Sequence, residues 1–459
     1  MKISDTGGPS VDWVRFEHLA RYIRALSYPS EAIIDDDTIH LLCSRHLHRP
    51  ILPNLRVLSW TAAGQGPGDR DIALLESLSS SPALCRVCVD DDRKEALDVL
   101  LVNCPDIMHL RYAGRLTELA STRSVVGFKG LRTVKFSHIE DELFRQLGSL
   151  PNLRVLEGAL ALSETLDLPD SSFPVLEELW INNRFDDTSS LTSLSLISSK
   201  TLAILSIEIP LPFTDALLEF LDKLCTKSAL KALRKLDFTA EIEFDPFDNE
   251  DDEVFEGVVF GDVLRRLTRL PTLEDVSFVV QFTTSAIAAF DVDDADMDRI
   301  ASAWPNLRRL TVMRICRNND WEGEACGVSR PSLSAIISLA TRCRQLEMLY
   351  IEFESVKMDE LERLEARALE CINPQRALRE IMLEPFSNYH NTLRLTDPVR
   401  LAAALRAIFP DLTGGLGEPL EDEAGELLRH GPWKPTEFDT DAFRLLKTLE
   451  ETHLSASWR

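Results

Sequence analysis

Positive charge is scarce in this chain: 50 Lys and Arg stand against 75 Asp and Glu over 459 residues, a formal net charge of −25. That balance argues against nucleic acid, whose phosphates reward cations, and against an anionic membrane surface. No apolar run reaches the roughly 20 residues needed to span a bilayer. The opening Met1-Lys-Ile-Ser-Asp5 lacks the apolar stretch of a secretory signal. Cysteines are nine, odd in number and scattered, so reduced thiols in the cytoplasm or nucleus are expected rather than a disulfide framework.

Signatures of chemistry are missing too. Gly64-Gln-Gly-Pro-Gly68 is glycine-rich but has no Lys-Ser/Thr after it and no dinucleotide fingerprint, so it reads as a loop. Cys85-Arg-Val-Cys88 has no second pair to complete four metal ligands. Cys43, His46 and His48 offer ligand types without a partner cluster. The acidic stretch starting at Asp245 places Glu250 where a calcium-binding loop needs Gly. Neither Gly-x-Ser-x-Gly nor His-Glu-x-x-His occurs. The expectation is a protein without catalytic residues, cofactor or metal.

What the chain has instead is a repeat. Leu52-Pro-Asn-Leu-Arg-Val-Leu58 recurs verbatim as Leu150 to Leu156. A looser form, apolar-x-x-apolar-x-apolar, begins at Leu55, Leu84, Ile107, Leu131, Leu153, Leu176, Leu202, Leu233, Leu273, Leu307, Leu346 and Leu378. Only Gly158, the third anchor of its copy, breaks the apolar rule. The last two anchors of each copy flank one variable residue, which is strand spacing. One copy cannot enclose its own apolar side chains, so neighbours must stack. Intervals of 22 to 40 residues leave room for a returning helix in most copies. This is a leucine-rich-repeat pattern. It predicts an α/β fold, a right-handed horseshoe solenoid with a parallel sheet on the concave face and helices on the convex face.

Taken in order, residues 1–50 form a helical cap, with helices over Trp13 to Leu26 and Asp37 to Arg45. Residues 51–412 carry about twelve repeat units. Their return helices include Glu140 to Leu147, Thr214 to Leu224, Val254 to Leu267, Ser332 to Arg342 and Met358 to Leu369. Glu241 to Glu253 is an acidic insertion read as a solvated excursion. Residues 413–459 make a tail with one helix near Asp441 to Glu451.

Two return helices end in a Cys before the next strand, at Cys104 and Cys343, and Trp304 fills the same slot. This resembles the cysteine-bearing helical subclass of repeats found in many F-box proteins. Trp13-Val-Arg-Phe16, Tyr22-Ile-Arg-Ala-Leu26, Ile39-His-Leu-Leu42, Ile51 to Trp60, Phe173 to Leu179 and Phe409-Pro-Asp-Leu412 extend the likeness. Over about residues 11–412 the chain resembles the repeat region of F-box proteins of the large fungal, basidiomycete-type group. The resemblance implies the substrate-recognition part of an SCF-type ubiquitin ligase, which binds protein substrates and does no chemistry itself. No Leu-Pro-x-Glu start of an F-box precedes Trp13. If one lies upstream of Met1, the ligase's linker subunit is a second expected partner. Otherwise the chain is a stand-alone interaction scaffold.

In either case the concave face is where a protein should bind. Residues flanking the second and third anchors point outward. Early copies place Arg86, His109, Arg111 and Lys135 there; middle copies place Glu157, Glu178, Trp180 and Asn182. Among later copies Tyr350 is the aromatic one. The expected protein-binding residues are Arg111, Lys135, Glu157, Glu178, Trp180, Asn182 and Tyr350. Trp180 leads them, because an outward Trp on a sheet is unusual and Trp is enriched in binding hot spots. The competing role for it is structural, beneath the helix near Phe443.

Overall fold

A computed structural model of the protein describes residues 13–28, 36–45, 49–61, 69–90, 95–114, 125–163, 166–169, 171–182, 197, 199–210, 215–226, 231–242, 260–282, 292–316, 330–353, 358–370, 374–385 and 398–412. The acidic insertion after Ile242, the loop Gly64 to Gly68 and the tail from residue 413 lie outside them, as do His46 and His48. The chain forms two compact units, divided between Leu202 and Ala203.

Among the described residues the first unit holds seven strands: β1 (Ala25–Tyr28), β2 (Val57–Thr61), β3 (Arg86–Asp90), β4 (His109–Tyr112), β5 (Thr133–Glu140), β6 (Val155–Ala161) and β7 (Glu178–Asn182). Each pairs in parallel with the next in sequence order. Its helices are α1 (Trp13–Ala20), α2 (Asp36–Arg45), α3 (Asp69–Ser79), α4 (Glu95–Asn103) and α5 (Asp141–Gly148). The second unit repeats the scheme with β8 (Ile204–Pro210), β9 (Lys235–Ile242), β10 (Asp275–Phe282), β11 (Arg309–Cys316), β12 (Met348–Phe353) and β13 (Glu380–Pro385). These too pair in parallel, each with the next. Between and after them run α6 (Asp215–Thr226), α7 (Phe260–Leu267), α8 (Asp294–Ala303), α9 (Leu333–Arg342), α10 (Met358–Glu370) and α11 (Pro398–Ile408). Both units are leucine-rich-repeat α/β solenoids.

The anchors explain the register. Leu58, Val87, Leu110, Val134, Leu156 and Leu179 align across neighbouring strands, and so do Trp60, Val89, Tyr112, Phe136, Gly158 and Ile181. Leu153, Leu156, Leu176 and Leu179 are all at most 1% exposed. Burying each such side chain is worth roughly 1.5–3 kcal/mol, so a one-residue slip, which would turn them all outward, is strongly disfavoured. In the second unit Leu205, Leu236, Val276, Leu310, Leu349 and Ile381 form the equivalent row.

Gly158 has a structural reason. A Cβ there would sit 2.6 Å from the Phe136 carbonyl oxygen and 2.8 Å from Ile139. The β5–β6 register shifts between Phe136 and Ile139. That bulge brings the β5 backbone against β6, and only a residue without a side chain fits.

Return helices follow the expected amphipathic logic. On α7, Phe260, Val263, Leu264 and Leu267 are buried while Arg265 and Asp262 pair with each other on the opposite face. Asp293 caps α8, accepting from the Asp296 N–H at 2.8 Å, and Asp296 reciprocates at the Asp293 N–H. Neighbouring helices pack in sequence, α6 on α7, α8 on α9 and α10 on α11.

One expectation fails at the amino-terminal end. The helix expected over Trp13 to Leu26 stops at Ala20, and Ala25–Tyr28 is a strand. Ile23-Arg-Ala-Leu26-Ser-Tyr28 is itself a copy of the repeat. Leu26 registers with Leu58 and Tyr28 with Trp60. The Tyr28 ring stacks on Trp60 at 4.4 Å, contributing beyond area alone. The described strands therefore number thirteen, one more than the twelve copies read from the sequence.

Candidate functional site

Turning the anchors inward leaves the other side of each strand facing away from the core. In the first unit one register row on that side runs Ser27, Ser59, Cys88, Arg111, Lys135, Glu157, Trp180. All seven are at least partly exposed. Four of the seven expected binding residues, Arg111, Lys135, Glu157 and Trp180, are thus consecutive neighbours across β4 to β7. Glu178 and Asn182 flank Trp180 on β7, on the same side and half-buried.

Charges along this row are partly matched. The Lys135 ammonium pairs with the Glu157 carboxylate on the adjacent strand. The Trp180 indole N–H donates to Glu178 Oε2 at 3.2 Å, which fixes the ring over its own strand. At the foot of the strands Arg154 pairs with Glu177 at 2.8 Å. His109 sits between Arg86 on β3 and Thr133 on β5. Its pKa is held below the ordinary imidazole value, first by loss of solvent and then by the charges of Arg86 and Arg132. Arg132 immediately precedes β5 and is exposed. Reading outward positions from strand alternation missed it, because it lies before the strand begins; its signal was an unmatched cation between the first two anchors.

Tyr350 belongs to the second unit and is only 9% exposed. Its hydroxyl donates to Glu380 on the neighbouring strand, so little of the ring is available to a partner. Around it the outward side of β9 to β11 carries Lys235, Asp275 and Arg309 in one row and Asp237, Ser277 and Thr311 in the next. Asp237 and Asp275 both titrate above the ordinary carboxylate range, chiefly because they are desolvated, with Lys235 opposing the shift. Arg309 lies 3.9 Å from Asp275.

Among the described residues no group of three or more His, Cys, Asp or Glu side chains could hold a metal ion. A small apolar void lies in the second unit between Leu236, Phe238, Phe278 and helices α6 and α7, with room for no more than about one water. Cys43, Cys85, Cys88, Cys104, Cys225 and Cys343 are free thiols. The expected slots of Cys104 and Cys343 are confirmed at helix ends: each backbone N–H closes the preceding turn, onto Leu100 and Leu339. Burial pushes the Cys104 thiol up to about 12 and the Cys343 thiol up to about 11, making both packing groups rather than nucleophiles. No described helix is long and apolar enough to cross a membrane.

No protein-family model matches the chain, and no curated protein does. Solved structures similar to it include the yeast Rad7 and Elc1 complex, at TM-score 0.35 and 15% identity over 64% of this chain and 71% of that one. A Bacteroides fragilis protein matches at TM-score 0.30 and 12% identity, over 62% and 72%. Internalin C2 from Listeria monocytogenes matches at TM-score 0.25 and 16% identity, over 63% and 100%. At these values the likenesses carry no argument, and the assignment of the fold rests on the chain's own anchors and strand register.

Proposed function

We propose that the protein is a non-catalytic protein-binding repeat domain and that the outward face of β4 to β7 holds its partner. The observation that carries this is Trp180, a large aromatic side chain left partly exposed on a rigid parallel sheet, with Glu157 beside it on β6 and Glu178 two residues before it on β7. Rigid, evenly spaced side chains lower the ordering cost of association. The finer reading, from the sequence resemblance, is substrate recognition for an SCF-type ubiquitin ligase in the cytoplasm or nucleus, with free thiols in keeping. The alternative is a stand-alone interaction scaffold. An F-box in frame upstream of Met1 separates the two.

The test is to recover partners from native cells with the natural protein and with Trp180→Ala, after matching their melting curves. Losing a buried interface Trp typically costs at least about 2 kcal/mol, more than tenfold in affinity. Trp180→Ala is therefore expected to lose the partners specific to the natural protein. Equal recovery would remove the Trp180 patch from the account.

A further inference from the structure

Beside the Trp180 patch, at β3 to β5, lie four basic side chains that have no acidic partner among the described residues. Arg86 and His109 are register partners on adjacent strands. Arg111 stands two residues beyond His109 on the same face, and Arg132 directly precedes the Thr133 that registers with His109. Neighbouring strands lie about 4.8 Å apart and two residues along a strand span about 6.7 Å, so Arg86, His109 and Arg111 are close neighbours, and the exposed Arg132 lies near enough for its charge to lower the His109 pKa. Among the described residues none of Arg86, Arg111 and Arg132 is ion-paired. Their neighbours Lys135 and Arg154 are, with Glu157 and Glu177. In a chain of net charge −25 acids are plentiful, yet among the described residues none pairs with these three arginines.

Like charges near one another repel, and after loss of solvent the charges of Arg86 and Arg132 lower the His109 pKa further. Such a cost is recovered when an anion arrives. We propose that Arg86, Arg111 and Arg132, with His109 among them, form the subsite for a phosphorylated side chain on the protein segment that lies across this face. The proposal rests on reading the face as a partner-binding surface. A phosphomonoester carries three terminal oxygens and a charge near −2, enough acceptors for three guanidinium forks. A single carboxylate has two oxygens and one charge, which one fork satisfies. Three arginines at one place on the face therefore fit phosphate better than an Asp or Glu.

The experiment uses the purified full chain and three immobilised peptide libraries with randomised flanks, the central residue being phosphoserine, serine or aspartate. Retention of the phosphoserine library at least tenfold above both others is expected. The double variant Arg86→Gln/Arg132→Gln should lose that preference at least tenfold, while Arg344→Ala in the second unit keeps it. Both substituted arginines are exposed, so melting curves should be unchanged. Equal retention of phosphoserine and serine libraries overturns the proposal. So does an aspartate library retained as well as the phosphoserine one, or a preference that survives the double variant. Because the libraries read the subsite without any natural partner, their failure leaves partner recovery through Trp180 standing.

Discussion

At His109, loss of solvent and the neighbouring cations of the first unit together make stability depend measurably on pH. Arg86 registers with it from β3 and Arg111 shares its strand, while Arg132, just before β5, adds its charge. Its folded-state pKa lies below the ordinary value of 6.5, so between the two values the folded chain binds fewer protons than the unfolded chain. Stability therefore falls as pH drops through 6.5 towards the folded pKa, and is fully retained above 6.5. Removing the imidazole should remove that loss. Denaturant melts of His109→Gln and the natural protein, at pH 8 and at pH 5.5, should show the variant gaining relative stability at the lower pH. A pH-independent difference would mean that the His109 pKa is not lowered in the folded chain. Single residues also mark where sequence reading ran short. The outward direction of Trp180 and Tyr350 follows from alternation alone. The burial of Tyr350 under its bond to Glu380 depends on which residue the next strand supplies opposite it, which one copy cannot reveal.

Elements are joined by a recurring device below the strands, where side chains donate to the first-anchor carbonyl of the previous copy. Ser81 Oγ donates to Leu55 O at 3.0 Å, Ser199 Oγ to Leu176 O at 2.7 Å and Thr272 Oγ1 to Leu233 O at 2.8 Å. Gln375 carries more of this load than any of them. Its Nε2 donates to Leu346 O at 3.2 Å and its Oε1 accepts from the Leu378 N–H at 2.8 Å. Gln375→Leu keeps the volume and orphans both backbone groups in a buried place. Each buried polar group left unsatisfied costs about 1–3 kcal/mol, so a clear drop in denaturation midpoint is expected. An unchanged midpoint would mean that water replaces the amide. Twelve strands were legible because three anchors recur at fixed spacing. The copy at Ile23 escaped because Trp13, Phe16 and Ile23 also fit a helix period, and the apolar run is too short to decide. The stacking of Tyr28 on Trp60, a contact over 32 residues of sequence, settles it as a strand.

At the scale of the molecule, a leucine-rich repeat has two sides with different duties. Anchors and helices bury the apolar residues, and each unit is stabilised chiefly by its neighbours. The outward strand face is left to vary, and in the first unit it varies from basic at β3 and β4 to aromatic and acidic at β7. On the helix side Val102 of α4 is 79% exposed, and a single exposed apolar residue of this kind is ordinary. Partner binding should therefore be confined to one side. The most direct measurement places a photo-crosslinking residue at Asn182, beside Trp180, or at Val102 on the helix side, in the protein expressed in its native cells. The account predicts partner adducts from position 182 and none above background from position 102. Adducts from position 102 with none from position 182 would contradict it.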